Sequence, residues 1–204
     1  MKCAFDRFYP IVDSAAWVER LTRLGAQLVQ LRIKDRPPAI VRDEIRAARD
    51  ACERSGALLV VNDYWRVALE ERCSFVHLGQ GDLDDADVPL IRARGLGLGI
   101  STHDYAELER ALALQPDYIA LGPIYPTLLK QMPWAPQGLA RIAEWKQLIR
   151  GIPLVAIGGL TVERLPDVFA AGANIAAVVT DIVRNSNPDQ RAREWLAATR
   201  ANER

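Results

Sequence analysis

The sequence predicts a single-domain α/β chain folded as a (β/α)8, or TIM, barrel. Three observations carry that expectation. Eight short apolar runs alternate with helical stretches along 204 residues. The runs are almost continuously apolar, as parallel strands buried on both faces should be. Polar residues gather just past the C-terminal ends of the runs, which in a closed barrel converge on one rim, where active sites are built. An open doubly wound sheet is the alternative, because alternation alone does not establish closure. No linker or low-complexity stretch divides residues 1–204, and the length is near the lower bound of about 200 for this barrel.

The elements follow in order. Phe8–Val12 reads as the first strand and Ala15–Leu24 as a helix stopped by Gly25. Leu28–Leu31 is the second strand, and a helix from about Ile40 to Ser55 follows the start signal Pro37-Pro38. Leu58–Val61 pairs with a short helix, Tyr64–Arg72, and Phe75–Leu78 with Val88–Arg94. Leu96–Ile100 precedes the helix Asp104–Leu114. Tyr118–Leu121 leads into a Pro-rich loop, Gly122–Gly138, and then the helix Leu139–Ile149. Leu154–Ile157 with Val162–Ala171, and Ile175–Val179 with Asp189–Thr199, complete the eight units. The long loop reads as a lid or binding segment, since such loops in compact domains carry function or are disordered.

Composition narrows the partners. Lys+Arg and Asp+Glu are both 26 and the formal net charge is zero, so no global field draws the chain to nucleic acid or membrane. No apolar run approaches the roughly 18 residues of a membrane span, and the N-terminus has no signal-like core. Cys3, Cys52 and Cys73 show no zinc or redox spacing and read as reduced thiols, which points to the cytoplasm. The expected partners are small phosphorylated molecules, and homo-oligomerisation stays open.

Gln30, Arg32 and Lys34 alternate with Leu31 and Ile33, so the polar set shares the lumen side and its mouth. Two cations there require anions. A diphosphate supplies them, and so does an internal salt bridge to Asp63 or Asp82. Asn62-Asp63 and Gln80-Gly81-Asp82 end adjacent strands, and two close carboxylates call for a cation between them. Mg2+ suits such a pair, completing its shell with water and phosphate oxygens. Asp63 also reads as an N-cap of the following helix. Gly158 and Gly159 after strand seven, with Val179 and Thr180 after strand eight, occupy the usual phosphate position of this barrel. Ser101 ends strand five and offers a hydroxyl. Thr127 and Lys130 lie in the long loop. His77 reads as a packed core or rim residue, His103 as either structural or functional, and the tryptophans mainly as packing residues.

The segments Gln30–Lys34, Val61–Asp63, His77–Leu83, Gly99–His103, Gly122–Thr127 with Lys130, and Ala156–Gly159 together resemble the thiamine phosphate synthases. The resemblance runs from about Phe8 to Thr199. It implies a transferase joining 4-amino-2-methyl-5-(diphosphomethyl)pyrimidine to a thiazole phosphate, or its carboxylated form, with release of diphosphate. It implies that Gln30, Arg32, Lys34, Asn62, Ser101 and Lys130 hold the pyrimidine diphosphate, with Arg32, Lys34, Ser101 and Lys130 as the catalytic set. Asp63 and Asp82 would hold Mg2+. Thr127, the position of Leu129, Gly158, Gly159, Val179 and Thr180 would take the thiazole phosphate. The implied chemistry is dissociative, with loss of diphosphate before capture by the thiazole nitrogen. Two residues depart from the pattern: Leu129 replaces a threonine, and Asp181 places a carboxylate beside the phosphate segment. A thiazole tautomerase-like relative and a non-catalytic barrel that binds the same ligands are the alternatives.

Overall fold

The computed structural model describes residues 5–127 and 135–200. Eight parallel strands pair in chain order: β1 (Phe8–Val12), β2 (Leu28–Leu31), β3 (Leu58–Asn62), β4 (Phe75–Leu78), β5 (Gly97–Thr102), β6 (Tyr118–Leu121), β7 (Leu154–Ile157) and β8 (Ile175–Val178). β8 returns to β1, with Phe8 beside Ala176 and Pro10 beside Val178, so the sheet is a closed barrel without an open edge. This closure excludes the open-sheet alternative.

The helices are α1 (Ala15–Arg23), α2 (Pro38–Ser55), α3 (Trp65–Glu70), α4 (Val88–Ala93), α5 (Tyr105–Ala113), α6 (Gly138–Leu148), α7 (Leu165–Ala170), α8 (Thr180–Val183) and α9 (Pro188–Arg200). Local chemistry sets several starts. Proline occupies the first turn of α2, where its missing N–H leaves no bond unmade. Asp87 and Asp104 cap α4 and α5 by accepting from Leu90 N and Glu107 N at 2.8 and 2.9 Å. Several boundaries shift by one or two residues, as β5 does from the expected Leu96–Ile100 to Gly97–Thr102, and two places differ in kind. The helix expected at Val162–Ala171 is a 3-10 turn, Val162–Arg164, followed by α7. The eighth strand ends at Val178, because Val179 leaves extended geometry to start the four-residue α8.

Strand alternation divides the interior in two. Leu31, Ile33, Val61, Leu78 and Ile100 face outward and pack with helix residues such as Ile45, Trp145 and Trp195. Burying a large apolar side chain in such a shell contributes about 1.5–3 kcal/mol. Tyr9, Leu28, Val60, Phe75, Tyr118, Val155 and Ile175 fill the lumen. The two β5 glycines make room for that filling: a Cβ on Gly97 would run into the Phe75 ring, and one on Gly99 into the Tyr118 ring. Those two rings stack 5.6 Å apart, and Phe5 closes against both edge-on from below. Trp65, Trp145 and Trp195 are buried packing residues, as expected; Trp134 lies outside the described residues.

Candidate active site

The charged half of the rim stands over β2, β3 and β4. Gln30 points into the lumen, where its amide donates to the Tyr9 hydroxyl at 2.8 Å. Arg32 and Lys34 follow β2 and are exposed at the mouth. Lys34 pairs with Asp63, so the internal salt bridge anticipated as one solution is present. Asp63 does not cap a helix. Its backbone is left-handed at φ 64°, a conformation aspartate tolerates better than most residues, and α3 starts after Tyr64 with no side-chain cap. The Asp63 N–H donates to His77 O at 3.0 Å, which ties the end of β3 to β4. Asn62 ends β3 and is buried.

Asp82 begins a 3-10 turn, and its Oδ2 accepts from Gly79 N at 3.0 Å. Burial pushes its carboxyl above the usual carboxylate range, and the neighbouring Asp63 pushes it further. The Gly79 amide and Lys34 offset this in part. A carboxyl raised by a second carboxylate marks a place where added positive charge is favourable. Among the described residues no group of three or more His, Cys, Asp or Glu side chains is arranged for a metal. Two carboxylates alone suit a hard cation that takes its other ligands from phosphate and water.

Beneath this rim runs a hydrogen-bonded chain that sequence reasoning missed. From Gln30 it passes to Tyr9, to Tyr118 at 2.8 Å, to His77 Nδ1 at 2.8 Å, and from His77 Nε2 to Ser101 Oγ at 2.7 Å. Burial pushes His77 down to about 4, with Asp63 opposing and Arg32 reinforcing that shift. The imidazole is therefore neutral at pH 7 and serves as a relay that holds Ser101. Gln80 fixes the same residue from outside by donating to Ser101 O at 2.7 Å. The second histidine, His103, pairs with Glu107 at 2.7 Å at the start of α5.

The opposite half of the rim is built from backbone. Gly158 and Gly159 adopt φ 98° and 66°. A Cβ on Gly158 would lie 2.6 Å from Pro123 Cα, and one on Gly159 2.6 Å from Pro126 O. Only glycine fits both the left-handed backbone and this approach. Ile124 N and Tyr125 N donate to Ile157 O and Gly158 O at 2.9 and 3.0 Å, so the root of the long loop is bonded to the glycine turn. Thr127 lies at the end of that root. Leu129 and Lys130 fall outside the described residues. Val179 and Thr180 form the adjoining wall at the start of α8. Asp181 turns away from them: Arg191 grips its carboxylate at 2.8 and 3.2 Å, and Trp195 Nε1 donates to it at 2.7 Å.

The thiamine monophosphate synthase family profile matches residues 8–182. A Rhizobium etli protein named thiamine-phosphate synthase is 60% identical over 194 residues, spanning 95% of each chain. A Salmonella newport protein of the same name is 49% identical over 191 residues, spanning 94% of this chain and 87% of that one. A thiamine phosphate pyrophosphorylase structure from Pyrococcus furiosus superposes with a TM-score of 0.85 over 96% of both chains. Its 24% identity makes it evidence of the barrel fold alone.

Proposed function

The chain belongs to the thiamine monophosphate synthase family, a family of transferases, and on that premise we propose the substrates and the roles of its rim. The protein joins 4-amino-2-methyl-5-(diphosphomethyl)pyrimidine to a thiazole phosphate, or its carboxylated form, giving thiamine phosphate and diphosphate. The observation that carries this reading is the arrangement of Lys34, Asp63 and Asp82, a cation beside two carboxylates that repel one another. Such a cluster suits a diphosphate bound with a divalent ion.

Asp63 and Asp82 would hold Mg2+, which when bound would neutralise charge developing on the leaving diphosphate. Arg32 and Lys34, standing at the mouth, would bind the diphosphate oxygens, with Lys130 as a third cation. Ser101, held by His77, would donate its hydroxyl to the pyrimidine diphosphate, and Gln30 and Asn62 would orient the pyrimidine half from below. Thr127 would contact the thiazole, with position 129 beside it. The amides around Gly158-Gly159 and Val179-Thr180 would receive its phosphate. Loss of diphosphate precedes capture by the thiazole nitrogen, so the protein supplies charge and alignment rather than a nucleophile. The neutral, hydrogen-bonded His77 accords with that division of labour. The place of action is the cytoplasm. No helix among the described residues is long and apolar enough to cross a membrane.

The test is diphosphate release by the purified protein with pyrimidine diphosphate, thiazole phosphate and Mg2+, each omitted in turn. Release that requires all three, with thiamine phosphate formed in equal amount, supports the reading. Turnover of the thiazole without diphosphate would replace it with a tautomerase. Binding of both substrates without turnover would replace it with a non-catalytic barrel.

A further inference from the structure

Asp181 poses a problem of charge. It directly follows Thr180, on the segment proposed for a phosphate, and a carboxylate left uncompensated there would oppose a dianionic ligand. The C-terminal helix α9 answers it. Arg191 on α9 meets Asp181 through Nε and Nη2, at 2.8 and 3.2 Å. Both side chains are largely buried, 14% and 15% exposed. Trp195, one turn further along α9 and itself fully buried, donates to the same carboxylate at 2.7 Å.

The same guanidinium reaches the other wall of the pocket. Arg191 Nη2 also donates to Glu163 at 2.9 Å, and Glu163 lies in the 3-10 turn that continues the Gly158-Gly159 loop. Nη1 meets Glu194 at 2.9 Å on α9 itself. One cation thus compensates three carboxylates and joins the segments after β7 and β8. A lysine could not span them, because its point charge lacks the planar fork.

We infer that Arg191 is a positioning residue for the thiazole-phosphate half of the site: it masks the charge of Asp181 and holds the β7 and β8 loops in register. The inference rests on reading that rim as the thiazole-phosphate pocket. Arg191 touches no substrate and acts through the loops it pairs.

The experiment measures KM for each substrate, with Mg2+ present and the other substrate saturating, in the wild type, Arg191→Lys, Arg191→Gln and the double variant Arg191→Gln/Asp181→Asn. Arg191→Gln should raise KM for thiazole phosphate about tenfold, the effect of an uncompensated charge near an anion in a partly screened site. KM for pyrimidine diphosphate should move less than about twofold on the same grounds. Arg191→Lys should fall between wild type and Arg191→Gln, and the double variant should recover much of the loss. An unchanged KM for thiazole phosphate overturns the inference, as do equal rises for both substrates or a double variant no better than Arg191→Gln. If the glutamine variant does not fold, the lysine variant decides: a selective rise supports the inference and wild-type values overturn it. Absence of thiazole-dependent diphosphate release from the wild type is a different failure, that of the functional reading itself.

Discussion

The two halves of the rim solve the same problem with different parts. Over β2 to β5 the site is made of side chains: Lys34 against Asp63, Asp82 raised by burial and its neighbour, and Ser101 held by a buried histidine. Over β7 and β8 it is made of backbone, with a glycine pair pressed against Pro123 and Pro126, and Thr180 opening a single-turn helix. A side-chain site can be tuned one charge at a time. A backbone site depends on the loops that shape it, and here those loops are tied to the last helix.

The sharpest break in this comparison comes from Asp82→Ala. If Asp82 holds the ion as proposed, turnover should fall about 10²–10³-fold, the usual cost of removing a preorganised electrostatic group. The response to Mg2+ should weaken with it, while KM for thiazole phosphate holds. Steady-state kinetics across a magnesium series checks this, and undiminished turnover removes Asp82 from the metal site.

Next in size is the pH response of the buried relay. His77 has a folded value of about 4, below its ordinary 6.5, so the unfolded chain takes up a proton first as pH falls. Stability that is fully present above pH 6.5 should be lost progressively between 6.5 and about 4, by about 3 kcal/mol. Urea unfolding at several pH values measures it, and His77→Gln should flatten the loss in that window.

Ser101→Ala removes the hydroxyl held by His77 and proposed to meet the pyrimidine diphosphate. The expected cost is about 1.5–3 kcal/mol, or roughly ten- to a hundredfold in kcat/KM for pyrimidine diphosphate. A comparable effect on thiazole phosphate would show that the two halves are not separate. The smallest effect is expected from Gly158→Ala, at about 1–3 kcal/mol of stability from left-handed backbone and crowding against Pro123. Thermal unfolding reports the cost, and a rise in KM confined to thiazole phosphate would place the strain in the backbone half.

How much of this the sequence disclosed varies with the kind of signal. Buried parallel strands announce themselves as apolar runs, and all eight were legible; closure was not, because it rests on the pairing of β8 with β1 across the whole chain. The single-turn α8 was not, because four residues carry no helical period and Thr180 reads as the end of a strand. In the site, Arg32, Lys34, Asp63 and Asp82 stood out as charges at strand ends. Asp63 also looked like a helix cap, and only its left-handed backbone and its pairing with Lys34 separate the two roles. Tyr9 and Tyr118 stayed hidden inside apolar runs. They lie 109 residues apart, and only barrel closure brings their hydroxyls within 2.8 Å. His77 read as a packed residue for the same reason: its partners come from β5 and β6. The direction of Asp181 was beyond any local pattern, since it is decided by two residues on α9.

The rings that occupy the space left by Gly97 and Gly99 make the barrel a vessel with one mouth. Below the rim, Phe75, Tyr118 and Phe5 form a stopper, so nothing enters or leaves by the base. On the proposed reaction, both substrates would then reach the site, and both products leave it, from the rim side.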